Sequence, residues 1–186
     1  WSSDVCSSDL ACLFILLVAI ACSQKCFIRN AKVETFVKSP QPWEYMTNDE
    51  LPKSYDPRDL NGISYVSVTK NQHIPQYCGS CWAFASASAV SDRLRLMTKG
   101  AWPTQELSPQ VLVNCVDSAA GCHGGHPLQA FNYMKQNGIP TEGCMRYTAT
   151  DNECTDFNIC RDCGHDTPCH AVQNYTKYYV DEYGSV

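Results

Sequence analysis

Over 81–98, Trp82, Ala85, Ala89 and Leu96 can share one side of a helix, and Gly100 follows as a stop signal. Ser108 before Pro109 is the pairing expected of an N-cap and a first helical residue, and it opens a short helix through Val111 and Leu112. A third helix is predicted over 127–136. Leu128 and Phe131 lie three apart there, and Asn137-Gly138 with Pro140 ends it. Turns fall at Pro57 and Asn61-Gly62. After Gly143 the periodicity gives way to Cys, Asp and Asn, the composition of stapled loops, and the run 175–180 (YTKYYV) predicts a strand.

The first fifty residues follow no such pattern. Residues 1–10 lack an initiator Met and repeat Ser-Ser-Asp, and Cys6 to Leu10 is what a translated sequencing adapter gives, so this stretch is set aside. The run Leu10 to Ala21 (LACLFILLVAIA) is shorter than the ~20 residues of a membrane span. It suits the apolar region of a signal peptide over 11–23, with Ala19-Ile20-Ala21 as the small-x-small cleavage pattern. Residues 24–50, with Pro40 and Pro42 and no sustained period, read as an extended arm, a short propeptide, ahead of a globular body over 51–186.

Composition narrows the class. A net charge of −5 argues against a nucleic-acid partner, and 44% hydrophobic residues argue against disorder. Thirteen cysteines in 186 residues point to the secretory pathway, where disulfides form. Nine of them, Cys78, Cys81, Cys115, Cys122, Cys144, Cys154, Cys160, Cys163 and Cys169, lie in the body, an odd number that leaves at least one without a partner there.

The run Gln76-Tyr77-Cys78-Gly79-Ser80-Cys81-Trp82 carries the signature C-G-[SA]-C-[WY]. Here the chain resembles the papain family of cysteine peptidases, with Cys81 in the nucleophile's place. The physics suits that role, since Cys81 falls where a helix begins and free N–H groups favour a thiolate. Gly121-Cys122-His123-Gly124-Gly125 is similar to the family's G-C-x-G-G, whose glycine pair, here Gly124 and Gly125, lets a substrate backbone come close. The likeness is strongest to the cathepsin Z branch. It rests on Leu51 to Ser54, Asn71 to Trp82, Lys99 to Pro103, Gly138 to Pro140, Cys169-His170 and Asn174 to Thr176, and it covers 51–186 with a weaker echo in the arm.

The resemblance implies an α+β fold, mainly the helical left half of a papain-like peptidase with disulfide-stapled loops, most of the β-barrel right half being absent. It implies that Gln72, brought into register by the extra residues Ile74-Pro75-Gln76, is the oxyanion donor. It further implies that these residues wall off the primed side of the cleft, and that His73 receives a substrate's C-terminal carboxylate. The implied bridges are Cys78–Cys122, Cys115–Cys154, Cys144–Cys160 and Cys163–Cys169. Those four leave Cys81 unpaired in the body, and the resemblance implies a latency bond from Cys26 of the arm to it. Asn174-Tyr175-Thr176 is an N-glycosylation sequon. The expected protein is therefore the N-terminal portion of a lysosomal or extracellular carboxypeptidase precursor. It would be monomeric, act on peptides and proteins with a free C-terminus, and need no metal or cofactor.

Some features depart from the family pattern. The base histidine and its orienting asparagine belong ~130–150 residues after the nucleophile, whereas 105 residues follow Cys81, so the fragment alone is expected to be inactive. None of His73, His123, His126, His165 or His170 is assigned as that base. Tyr55-Asp56-Pro57-Arg58 replaces W-D-W-R, and one extra residue separates Cys115 from Cys122. Three other readings stand beside the peptidase. One is a non-catalytic disulfide-rich secreted module or decoy. Another is a C-x-x-C thiol oxidoreductase built on Cys78 and Cys81, although no βαβ pattern precedes it. The last is a zinc site from Cys160, Cys163, His165, Cys169 and His170, which disulfides outweigh in a secreted chain.

Overall fold

The computed structural model describes residues 26–29 and 31–185. The adapter-like stretch 1–10 and the signal peptide 11–23 lie outside the described residues. Among the described residues five α-helices occur in chain order: α1 (Pro42–Tyr45), α2 (Cys81–Met97), α3 (Pro109–Cys115), α4 (Pro127–Asn137) and α5 (Asp156–Ile159). One antiparallel pair follows, β1 (Arg161–Asp162) with β2 (His170–Ala171), in the register Arg161 to Ala171. Among the described residues no helix is long and apolar enough to cross a membrane.

Helix α2 is the axis of the body, and both α3 and α4 pack on it. Its buried side is Trp82, Ala83, Ser86, Ala87 and Ser91. The side drawn from sequence was different, since Ala85, Ala89 and Leu96 are exposed. Short side chains explain the rotation. Alanine and serine let neighbouring helices approach closely, and each serine satisfies its hydroxyl locally. Ser86 Oγ donates to the Trp82 carbonyl at 2.7 Å, and Ser91 Oγ donates to that of Ala87 at 2.9 Å. Ser91 Oγ also accepts the Leu107 N–H at 3.0 Å, which ties the approach to α3 onto α2.

Helix α3 is buried along its whole length. The Ser108 hydroxyl caps it, accepting from Val111 N–H at 3.3 Å and donating to the Met145 carbonyl at 2.7 Å. A buried amide in this helix has to be fully bonded. Gln110 meets that demand by accepting from Thr148 N–H and donating to Asn114 Oδ1 and the Thr150 carbonyl. Helix α4 has a reciprocal cap. The His126 ring accepts the Leu128 N–H at 3.2 Å, while Gln129 Oε1 accepts the His126 N–H at 2.8 Å. Gly138, at φ 72°, ends the helix, as a left-handed position requires.

The predicted strand over 175–180 is not formed. Only Tyr178 pairs, exchanging both backbone hydrogen bonds with Ile139 at 2.9 Å. The rest of that run crosses the body without a neighbouring strand to complete a ladder.

Most of the arm lies along the body without regular structure, apart from α1 and a 3-10 turn at Asn48–Glu50. Its segment around Lys38 and Ser39 rests on Glu182. That carboxylate accepts the Lys38 and Ser39 N–H groups, both at 2.8 Å, and the Ser39 hydroxyl at 2.6 Å. The Ser39 hydroxyl, then the two backbone donors, pull the Glu182 carboxyl down to about 2. A depressed carboxylate stabilises the contact above its ordinary range, near 4.5, and the contribution is lost only as pH falls through about 2. The arm contact should therefore persist at pH ~4–5. An NMR titration of the Glu182 carboxyl carbon should show a midpoint near 2, and a midpoint within the ordinary carboxylate range would contradict the contact.

Candidate active site

Cys81 is the first residue of a 17-residue helix. A sulfur there faces backbone N–H groups that have no intrahelical partner, an environment that favours negative charge. Here Cys81 is joined to Cys26 of the arm, with their Cα atoms 5.8 Å apart. Cys78 is joined to Cys122, so the two cysteines of the C-x-x-C motif bond to different partners. The remaining pairs are Cys115–Cys154, Cys144–Cys160 and Cys163–Cys169. The cysteines weighed as zinc ligands are thus committed to sulfur, and His165 is exposed beside Asp166 at 2.7 Å.

The glycine pair sits opposite. Gly125 donates its N–H to the Cys26 carbonyl at 3.2 Å and accepts the Ile28 N–H at 2.9 Å, so the arm lies on it as a short parallel bridge centred on Phe27. Gly125 has no room for a side chain, since a Cβ there would stand 2.6 Å from the Trp82 ring. Trp82 is 1% exposed, and its indole N–H donates to the Gly121 carbonyl at 3.0 Å. It forms the floor on which the glycine strip rests. Gly124 has φ 120° and turns the chain out of the preceding 3-10 turn. Gly79 is crowded as well: a Cβ would meet the Cys122 carbonyl at 2.7 Å and Cys26 Cβ at 3.4 Å.

Gln72 and His73 stand together on the loop before Cys78. His73 is stacked on Tyr77 with ring centroids 4.6 Å apart, and its Nδ1 accepts the Cys78 N–H at 3.4 Å. The Gln72 amide nitrogen lies 3.1 Å from His73 Nε2, a contact whose direction follows the tautomer of the ring. Ile74 is 62% exposed on the inserted turn, and Gln76 Nε2 ties that turn to the Ala149 carbonyl at 3.1 Å.

One site residue, Tyr147, escaped the sequence reading. Tyr147 Oη donates to the Gln72 carbonyl at 2.7 Å, so the 2.6 Å bond to Ser80 has the serine hydroxyl donating. This relay fixes the Gln72 loop to the residue that precedes Cys81. Burial raises the Tyr147 phenol above its ordinary range and keeps it a neutral donor. No local signal marks the pair, because Tyr147 and Gln72 are 75 positions apart.

Residues 51–185 match the family described as papain family cysteine protease. The chain belongs to the papain family of cysteine proteases. Among curated proteins it is similar to cathepsin Z of Onchocerca volvulus, with 42% identity over 163 residues, covering 87% of this chain and 53% of that protein. It is similar also to cathepsin K of Mus musculus, with 42% identity over 113 residues, covering 60% of this chain and 30% of that protein. Among solved structures, digestive procathepsin L2 from Tenebrio molitor larval midgut aligns with a TM-score of 0.60 and 32% identity, covering 71% of this chain and 41% of that one. This papain-family chain thus spans about half the length, or less, of these relatives. Its α-helical body with few strands carries the papain-like fold over the matched part.

Proposed function

We propose that this chain is the N-terminal part of a thiol-dependent carboxypeptidase precursor in which Cys81 forms the acyl-enzyme. The observation that carries this reading is the arm itself. An extended peptide lies across Gly125 with its backbone hydrogen-bonded and its cysteine on Cys81. A segment held that way occupies the ground a substrate backbone would need, so the precursor is latent while the bond stands.

In the freed enzyme the Cys81 thiolate attacks a peptide carbonyl, and the C–N bond breaks to leave a thioester. The departing amine takes the proton that the thiol gave up to an imidazole base. Water then hydrolyses the thioester to a free carboxylate and restores the thiol. The base and its orienting amide come from outside the present chain, consistent with the greater length of its relatives. The Gln72 side-chain amide offers its N–H groups to the oxyanion together with the Cys81 backbone N–H. The signal sequence and disulfides support passage through the secretory pathway to a lysosome or the extracellular space. Peptides and proteins with a free C-terminus are the proposed substrates.

The exposed turn Ile74-Pro75-Gln76, adjoining His73 and held by Gln76 to the Ala149 carbonyl, supports removal of single C-terminal residues through the likeness to cathepsin Z. A charge-assisted contact of ~1.5–3 kcal/mol from His73 to the substrate carboxylate predicts that amidation lowers kcat/KM by roughly 10- to 150-fold. His73→Ala should remove most of that difference. Equal rates on acid and amide in the wild-type enzyme would refute the assigned role.

Asn174 is proposed to carry an N-linked glycan. It is exposed and lies in a bend, where a bulky sugar meets no packing. Glycosidase treatment of the secreted protein should lower its mass, and Asn174→Gln should abolish that shift.

A further inference from the structure

Away from the cleft the arm meets the body a second time. Phe36 and Tyr183 exchange both backbone hydrogen bonds at 2.8 Å. Glu182 takes two further donors of the arm backbone, Lys38 N–H and Ser39 N–H, and the Ser39 hydroxyl. Lys38 Nζ reaches Asp181 at 2.5 Å, an exposed pair that adds little by itself. The receiving strip is braced on α4 and not on the cleft. Tyr183 Oη donates to Asn132 Oδ1 at 2.9 Å, and Lys135 Nζ donates to the Asp181 carbonyl at 2.8 Å while standing 3.9 Å from the centre of the Phe36 ring. Gly184 leaves room for Val37, whose Cγ2 a Cβ would meet at 2.9 Å.

We propose that the strip 181–184 is a second peptide-docking site, separate from the cleft, whose occupant is arm segment 36–39 and which holds the arm independently of the Cys26–Cys81 bond. The proposal rests on the reading of the arm as a latency segment, but its contacts involve no residue of the cleft. The chemistry selects its ligand. Paired edge groups on Tyr183 accept an extended backbone. The Glu182 carboxylate requires two consecutive N–H groups followed by a hydroxyl. The Lys135 ammonium favours an aromatic ring two residues before the first of those N–H groups. Phe36-Val37-Lys38-Ser39 supplies that order. Once the Cys26–Cys81 bond opens, a docked segment 36–39 keeps Cys26 near Cys81 at an effective concentration on the order of millimolar.

The test uses the full-length precursor with Cys26→Ser and Cys81→Ser, so that neither the bond nor self-cleavage intervenes. Amide hydrogen exchange at Phe36, Lys38 and Ser39 should remain slow, close to that of the wild-type precursor. Adding Glu182→Ala should speed exchange at Lys38 and Ser39 by about tenfold or more, with the amides of α2 unchanged as a control of folding. Fast exchange already in the double-cysteine variant, or slow exchange that survives Glu182→Ala, would overturn the proposal. If peptide mapping of the wild-type precursor finds Cys26 unbound, the latency reading fails, and the Glu182 comparison still decides the docking site.

Discussion

Cys81→Ser in the full-length protein is expected to abolish peptide hydrolysis, with kcat falling on the order of 10⁴-fold or more. A hydroxyl at the start of α2 lacks the thiolate that the helix terminus favours, and no other cysteine of the body is free to replace it, since Cys78 is bound to Cys122. The same substitution frees Cys26 as a thiol and leaves the other four bonds in place. Activity assays after arm removal, paired with thiol counting on the precursor, check both halves. Undiminished hydrolysis would reject Cys81 as nucleophile, and a free-thiol count that falls by one instead of rising by one would reject its bond to Cys26.

Trp82→Ala is expected to cost the largest amount of stability, ~3–5 kcal/mol, because it removes a fully buried ring from beneath the cleft. The loss is compounded at the Gly121 carbonyl, which accepts the indole N–H, and at Gly125, whose backbone lies against the ring face. Trp82→Phe fills most of the volume but leaves that carbonyl without its donor, so a smaller cost of ~1–3 kcal/mol is expected. Urea denaturation of the full-length protein measures both. If Trp82→Ala costs no more than Trp82→Phe, the ring is not the support described here.

Elements governed by neighbours in sequence were legible. The cap of α3 is written locally, Ser108 with Val111, and the helix starts where it stands, whereas the cap of α4, His126 with Gln129, was not read, because histidine is not among the usual capping residues. The buried face of α2 was misread because hydrophobicity ranks leucine above serine, whereas close helix contact favours the smaller side chain. The run 175–180 has strand composition, but a strand needs a partner along its length, and only Ile139 meets it. In the site, Cys81 and the glycine pair stood out because a helix start and a close backbone approach each demand particular residue types. The link from Ser80 through Tyr147 to Gln72 could not be foreseen, since it joins ordinary polar residues that only the folded chain brings together.

The order of the cysteines along the chain has a topological result. The loop closed by Cys26–Cys81 overlaps that of Cys78–Cys122, which overlaps that of Cys115–Cys154, which overlaps that of Cys144–Cys160. A single backbone break anywhere from Cys26 to Cys160 therefore falls inside at least one closed ring, and the two pieces stay joined through sulfur. Such a nick divides the backbone without shedding a piece. Cleavage between the arm and the body is no exception: severing that link leaves the arm attached, so liberation takes both a cut peptide bond and an opened sulfur bond, in either order.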